Sequence, residues 1–312
     1  VGHALGQPAS QDPLGLRVQA QIAGNGLNHN AAMSRFDDNT RVTPLAPAAD
    51  SGSAAFTGQV DPAWNIGANP NGGYLLALAA QALRQTTPDQ PDPLSISVHY
   101  LRPGLAGQAC RIDTQLLRSG RTLSTVRATL TQAGRPGLEV LAAMGRLADA
   151  DSAAAPMISL PMPDLPPPEQ CVGRSASAQG VTLSILDQLD IRLHPGEAVP
   201  GAAGRARVSG WIRFTDGRPP DALACLLMTD AFPPAVFGLL GLIGWVPTLE
   251  LTVHLRRKPV AGWLRGLFWS DDLSGGLVVE NGALWDASGQ LVAQSRQLAL
   301  VRQDPGQDKA AP

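Results

Sequence analysis

The sequence predicts an α+β fold made of two tandem repeats, each an antiparallel sheet wrapped around a long helix. The first observation behind this is self-similarity at a spacing of 155 residues. At that offset Leu94, Ile96, Val98 and Tyr100 fall on Leu249, Leu251, Val253 and Leu255, while Ser97, His99 and Arg102 fall on Thr252, His254 and Arg257. Both runs alternate apolar and polar residues, the pattern of a strand with one buried face. The same offset sets the turn glycine Gly134 on Gly289, each ahead of a final strand (138–147 and 290–301). Two coincidences at one spacing indicate a duplicated unit. The second observation is a helix over 72–84 with Leu75, Leu76, Leu78, Ala79, Ala82 and Leu83, an apolar surface so broad that the helix must be enclosed. A meander of strands curled around it meets that demand. Two such units can pair their edge strands into one continuous sheet. In each unit a strand (54–60; 205–214) precedes the helix (72–84; 221–232), and three or four strands follow.

Composition sets the boundaries of this reading. The chain has 312 residues, 44% of them hydrophobic, ample for two cores. With 16% charged residues and a net charge of -2, it has no electrostatic attraction for nucleic acid. Cys110, Cys171 and Cys225 are odd in number and far apart, so no disulfide framework or CxxC half-site exists and a reducing, cytoplasmic setting is expected. The apolar run from Ala235 to Val246 is 12 residues long, short of the about 20 that a membrane span needs. The first residues, VGHALGQPAS, lack the pattern of a secretion signal. Residues 1–33 read as a disordered extension, with Met33 just ahead of the folded part as an alternative start. The N-terminal repeat is placed at 34–148, a proline-rich linker at 149–172, the C-terminal repeat at 173–303 and a tail at 304–312.

The segments NPNGGYLLALAAQAL, LSISVHYLRPG and LLRSGRTLSTVRATLTQAGRP, followed by GWIRFTDGRPPDALACLLMTDAFPPAV, PTLELTVHLRRKP and GQLVAQSRQLALV, together resemble the acyl-CoA thioesterase II family. Members of that family are double hotdog proteins, and the likeness runs from Ser34 to Arg302 in order and spacing. The resemblance implies a hydrolase of lipid metabolism that cleaves fatty acyl-CoA thioesters with a water held by an Asp, a Thr and a Gln. It implies no acyl-enzyme, no metal and no cofactor. The three positions fall on Asp230, Thr248 and Gln297. Where the relatives place Asp and His after the threonine, this chain has Glu250 and Leu251. The resemblance also implies a homodimer or higher homo-oligomer.

The residues carry part of this case themselves. Asp230 lies in LLMTDAF, where an unpaired carboxylate is costly or forced to take a proton. It is suited to act as a general base on water oriented by Thr248 and the Gln297 amide, or else to cap the segment before Pro233. For the oxyanion, Asn71, Gly72 and Gly73 open a helix whose backbone N–H groups are candidates. A plain helix-opening turn is the other reading, and the helix start near Asp221 competes for the role. Trp245 is a candidate pocket wall beside Gly238, Gly241 and Gly244, read as a loop over an acyl channel. At the repeat offset Thr248 meets Pro93, Gln297 meets Ala142, and no carboxylate occurs from Leu75 to Gln81, so one site per chain is expected. His99 and His254 serve the shared fold, and no GxSxG elbow exists. Two alternatives to the thioesterase stay open: a non-catalytic acyl-thioester binding module, and a hotdog enoyl-CoA hydratase, which needs an Asp and His pair.

Overall fold

In the computed structural model, which describes residues 34–45, 52–150, 156–175 and 181–301, the chain begins with α1 (Arg35–Asn39), β1 (Val42–Pro44) and β2 (Ser53–Gln59), then the short pair β3 (Asn65–Ile66) and β4 (Asn69–Pro70). Helix α2 (Gly72–Thr86) follows, and after it β5 (Asp92–Tyr100), β6 (Ala109–Arg118), β7 (Ser124–Gln132) and β8 (Arg135–Gly145). The second half holds β9 (Val172–Gly173), β10 (Leu189–Leu193), β11 (Arg207–Phe214), α3 (Ala222–Met228), α4 (Phe237–Leu240), β12 (Thr248–Leu255), β13 (Leu264–Ser274), β14 (Leu277–Trp285) and β15 (Leu291–Leu300). The expected extension 1–33, residues 151–155 of the linker and the tail 304–312 lie outside the described residues.

The predicted enclosure of the first helix is what the structure builds. Every residue of α2 from Gly73 to Ala80, with Ala82 and Leu83, is buried, and the helix packs on β2, β5, β6 and β7 and against α3. One continuous antiparallel sheet of thirteen strands, in the order β1-β2-β6-β7-β8-β5-β12-β15-β14-β13-β11-β10-β9, carries both units. This is the double hotdog arrangement.

The seam between the units is the pair β5 and β12, with Ser97 opposite Thr252. These two residues also stand 155 positions apart, so the pseudo-twofold axis relating the repeats passes between them, and the Thr252 hydroxyl donates to Ser97 Oγ at 3.0 Å. Each seam strand carries one irregularity, between Pro93 and Ser95 in β5 and between Thr248 and Glu250 in β12. The two irregularities are themselves 155 residues apart. They correct the simple alternation: the bulge leaves Leu249 36% exposed although its place in the pattern is a core position. The turn glycines Gly134 and Gly289 both adopt positive φ, 71° and 78°, which explains why glycine recurs there.

The second helix is shorter than its apolar run predicts. It ends at Met228 rather than continuing to Phe232. Helical bonding of the Thr229 and Asp230 carbonyls would require N–H groups at positions 233 and 234, and both are proline. Asp230 therefore sits in the turn just past the helix, where its N–H still reaches the Leu227 carbonyl at 3.1 Å. No helix among the described residues is long and apolar enough to cross a membrane.

Leu76 is fully buried within the enclosed helix. Leu76→Ala is expected to lower unfolding free energy by about 2–5 kcal/mol, measured by urea denaturation.

Candidate active site

The site starts from the helix opening Asn71-Gly72-Gly73. Asn71 is the N-cap of α2, its side-chain oxygen accepting from the Tyr74 N–H at 2.9 Å. Its amide nitrogen points the other way and donates to the Asp230 carbonyl at 2.7 Å and to Asp230 Oδ2 at 3.0 Å. The carbonyl orphaned by Pro234 thus finds its partner on the other repeat. The Gly73 N–H donates to Asp230 Oδ2 at 2.8 Å. A Cβ at Gly73 would fall 2.7 Å from the Leu226 carbonyl oxygen and 2.9 Å from Asp230 Cβ, so only glycine lets α2 and the end of α3 approach this closely.

Asp230 is thus held by a helix N-terminus, where negative charge is favoured. Burial nevertheless dominates and pushes its pKa up to about 6, against the lowering effect of the Gly73 and Gly72 N–H groups, the Asn71 amide and the Arg174 guanidinium. Arg174, which follows β9, lines the same cavity and donates to the Ala231 carbonyl.

Thr248 and Gln297 come from adjacent strands β12 and β15. The Thr248 hydroxyl donates to Gln297 Oε1 at 3.2 Å, and Gln297 Nε2 donates to Glu280 Oε1 at 2.9 Å. Glu280, on β14 directly opposite Gln297, is buried, and its second oxygen accepts the Ala235 N–H at 2.6 Å. Burial raises its pKa to about 7; the nearby Asp230 charge raises it too, while the Ala235 and Gln297 hydrogen bonds work the other way. Ala235 follows Pro233-Pro234, so Glu280 ties the turn that carries Asp230 to the amide of Gln297.

Asp230, Thr248, Gln297 and Glu280 open on one cavity of about 510 Å³. Its inner wall includes Leu75, Phe232, Phe268, Val236, Val278 and Ala299, and its mouth includes Leu242, Trp245 and Leu249. Of the residues singled out from sequence, the structure gathers Asp230, Thr248, Gln297, Asn71 and Gly72 around this cavity, with Trp245 at the rim, 46% exposed. Gly73 N–H is turned to the Asp230 carboxylate, and the Gly72 N–H bonds the same group. His99 and His254 are exposed, and among the described residues no histidine lines the cavity. Glu280 and Arg174 did not emerge from sequence reasoning; each is a lone charge in an ordinary strand or linker pattern. Among the described residues no three His, Cys, Asp or Glu side chains gather as a metal site requires.

Comparison with known proteins assigns the family. The acyl-CoA thioesterase N-terminal domain matches residues 60–147, and the acyl-CoA thioesterase C-terminal domain matches residues 164–301. A putative thioesterase II from Thermobifida fusca is 33% identical, its structure superposing with a TM-score of 0.75 over 87% of this chain and 99% of that one. The chain belongs to the acyl-CoA thioesterase II family. An uncharacterized protein of Mycobacterium tuberculosis is 32% identical over 274 residues, which is 79% of this chain and 90% of that protein. A hotdog-fold protein of unknown function from Alicyclobacillus acidocaldarius, 24% identical with a TM-score of 0.74 over 87% of this chain and 99% of that one, shares the fold. At the level of the acyl-CoA thioesterase family the chain is a thioester hydrolase.

Asp230 and Glu280 have ordinary values of 3.8 and 4.5 and are raised to about 6 and about 7 in the folded chain. Both therefore bind protons more tightly when folded. Their contribution to stability is complete below the ordinary values and is lost as pH rises through the raised ones. Glu280→Gln is expected to flatten the fall in stability between pH 4.5 and 7, read as the denaturant midpoint against pH.

Proposed function

We propose that the chain hydrolyses fatty or related acyl-CoA thioesters by direct attack of a water molecule, with Asp230 as general base and Thr248 and Gln297 orienting the water. The observation that carries this reading is a buried carboxylate with raised pKa opening onto the same apolar cavity as a directed hydrogen-bond chain. At neutral pH Asp230 is mostly ionised yet more basic than an ordinary carboxylate, the balance a general base requires.

The chain Thr248 to Gln297 to Glu280 has a fixed direction. Glu280 accepts the Ala235 N–H with one oxygen and the Gln297 amide nitrogen with the other, which turns the Gln297 oxygen to Thr248. Thr248 then gives its one proton to Gln297, leaving its lone pairs to accept from water. A water that donates one hydrogen to Asp230 and the other to Thr248 keeps an oxygen lone pair for the thioester carbonyl. As the O–C bond forms, the proton passes to Asp230. The C–S bond then breaks, the sulfur leaves as thiolate, and the proton held by Asp230 is available to it. The products are a free acid and coenzyme A.

The apolar inner wall suits an acyl chain, and this feature alone would serve a binding module equally well. The paired raised carboxylates favour hydrolysis, because a module that only binds has no use for a buried base. A hydratase reading would need a histidine at the cavity, and none of the described residues that line it is one. We read the assembly as a homodimer or higher homo-oligomer. Exposed Leu117 on β6 and Leu141 on β8 support this, and light scattering is expected to give at least twice the chain mass.

The deciding measurement is free-thiol release from acyl-CoAs of increasing length, with acyl carrier protein thioesters in parallel. Asp230→Asn is expected to lower kcat by about 10²–10⁴-fold while acyl-CoA still binds. Binding without turnover by the wild-type chain on every substrate would replace this reading with the binding module.

A further inference from the structure

Tyr100 closes β5 with its phenol inside the catalytic cavity, on the same strand face as the buried Ile96 and Val98. Its hydroxyl oxygen is buried and has no hydrogen-bond partner among the described residues. A buried hydroxyl left unpaired is costly, so its presence at the wall of a cavity asks for a partner that the described residues do not supply.

Its position says what that partner is. A Cβ on Gly72 would fall 2.9 Å from the Tyr100 hydroxyl and 3.0 Å from Asp230 Oδ2. The two oxygens therefore stand within about 6 Å of each other, and they are not bonded to one another. Gly72, having no side chain, leaves the space beside them open. A general base needs its water at about 2.6–3.2 Å, and an oxyanion donor sits about 2.7–3.1 Å from the oxygen it stabilises. A gap of this size accepts both the attacking water on Asp230 and a carbonyl oxygen on Tyr100. The alternative donors, the N–H groups that open α2, are already directed at the Asp230 carboxylate.

We infer that the Tyr100 hydroxyl donates a hydrogen bond to the thioester carbonyl oxygen and stabilises the negative charge that gathers there, making Tyr100 a catalytic residue of the N-terminal repeat. This deepens the hydrolytic reading and rests on it. When the water oxygen bonds to the carbonyl carbon, the C=O π pair moves onto oxygen and is met by the phenol O–H. The same pair returns to re-form C=O as the C–S bond breaks. Tyr100 keeps its proton throughout, because burial first, and then the negative charges of Asp230 and Glu250, raise its pKa well above the ordinary phenol value.

Tyr100→Phe removes one oxygen that bonds none of the described residues, so Tm is expected to be no lower than that of the wild type. On an acyl-CoA that the wild type turns over, kcat is expected to fall about 100-fold, with KM within about threefold. An unchanged kcat, or a loss confined to KM, would overturn the assignment. Should Tyr100→Phe misfold, 3,5-difluorotyrosine at position 100 keeps the shape and makes the O–H more acidic; a kcat insensitive to this replacement is equally fatal. A third arm needs no turnover: a trifluoromethyl ketone analogue of acyl-CoA, which presents oxygen on a tetrahedral carbon, is expected to bind at least 10-fold more weakly to Tyr100→Phe. Equal affinity would overturn the role of Tyr100. A wild-type chain that releases no thiol from any acyl thioester would instead remove the hydrolytic reading, while the analogue still decides Tyr100.

Discussion

The contact between the Asp230 carboxylate and the N-terminus of α2 governs the architecture around it. To reach it, the end of α3 must come within van der Waals distance of the first turn of α2, which requires glycine at position 73. The chain must also stop being a helix at the right residue, which Pro233 and Pro234 enforce by withholding two N–H groups. Asn71 then meets two needs with one side chain, capping its own helix with its oxygen and satisfying the stranded Asp230 carbonyl with its nitrogen. An aspartate at position 71 could cap the helix as well, but it would set a second carboxylate against Asp230 with no amide to offer.

That substitution is what the other repeat contains. Asp221 caps α3 through the Ala224 N–H at 2.8 Å, and its second oxygen is taken by Arg218, which also binds Asp37. The N-terminus of α3 is therefore neutralised within its own neighbourhood and receives no carboxylate from α2. The duplicated fold has kept its seam, its bulges and its turn glycines at one spacing, while the helix caps have diverged in charge. The two helix ends differ for that reason: the N-terminus of α2 receives a carboxylate from the other repeat, and the N-terminus of α3 does not.

Much of the fold was legible because it depends on period and spacing. Strand alternation, the fully apolar helix and the recurring glycines all survive translation from letters to structure, and Thr248 and Gln297 do meet across neighbouring strands. Legibility failed where one residue is inserted or one helix meets another. Leu249 fits the alternation and yet faces out, because a bulge shifts the count. Glu280 was missed for a related reason: counting outward from the Gly289 turn pairs it with Arg296, and only the irregularity between Leu284 and Trp285 brings it opposite Gln297. The Asn71, Gly72 and Gly73 opening was recognised as a site for negative charge, but the charge it holds belongs to the protein. Contacts between residues 157 positions apart, such as Gly73 with Asp230, follow from helix packing that no local pattern encodes.

The order of strands in the sheet has a consequence for how the molecule is made. β15 is the last strand of the described chain, yet it lies between β12 and β14 in the interior of the sheet, and it brings Gln297. A nascent chain emerging from the ribosome can pack α2 against β5 to β8 early. It can then bring β12 to the seam, but it holds an unfilled slot beside β12 until β15 arrives. The hydrogen-bond chain through Glu280 and Thr248 is joined in that same insertion. A product stalled before β15 therefore carries an open sheet edge and a cavity without its Gln297 wall, so the cavity is completed in one late step, together with the closure of the sheet.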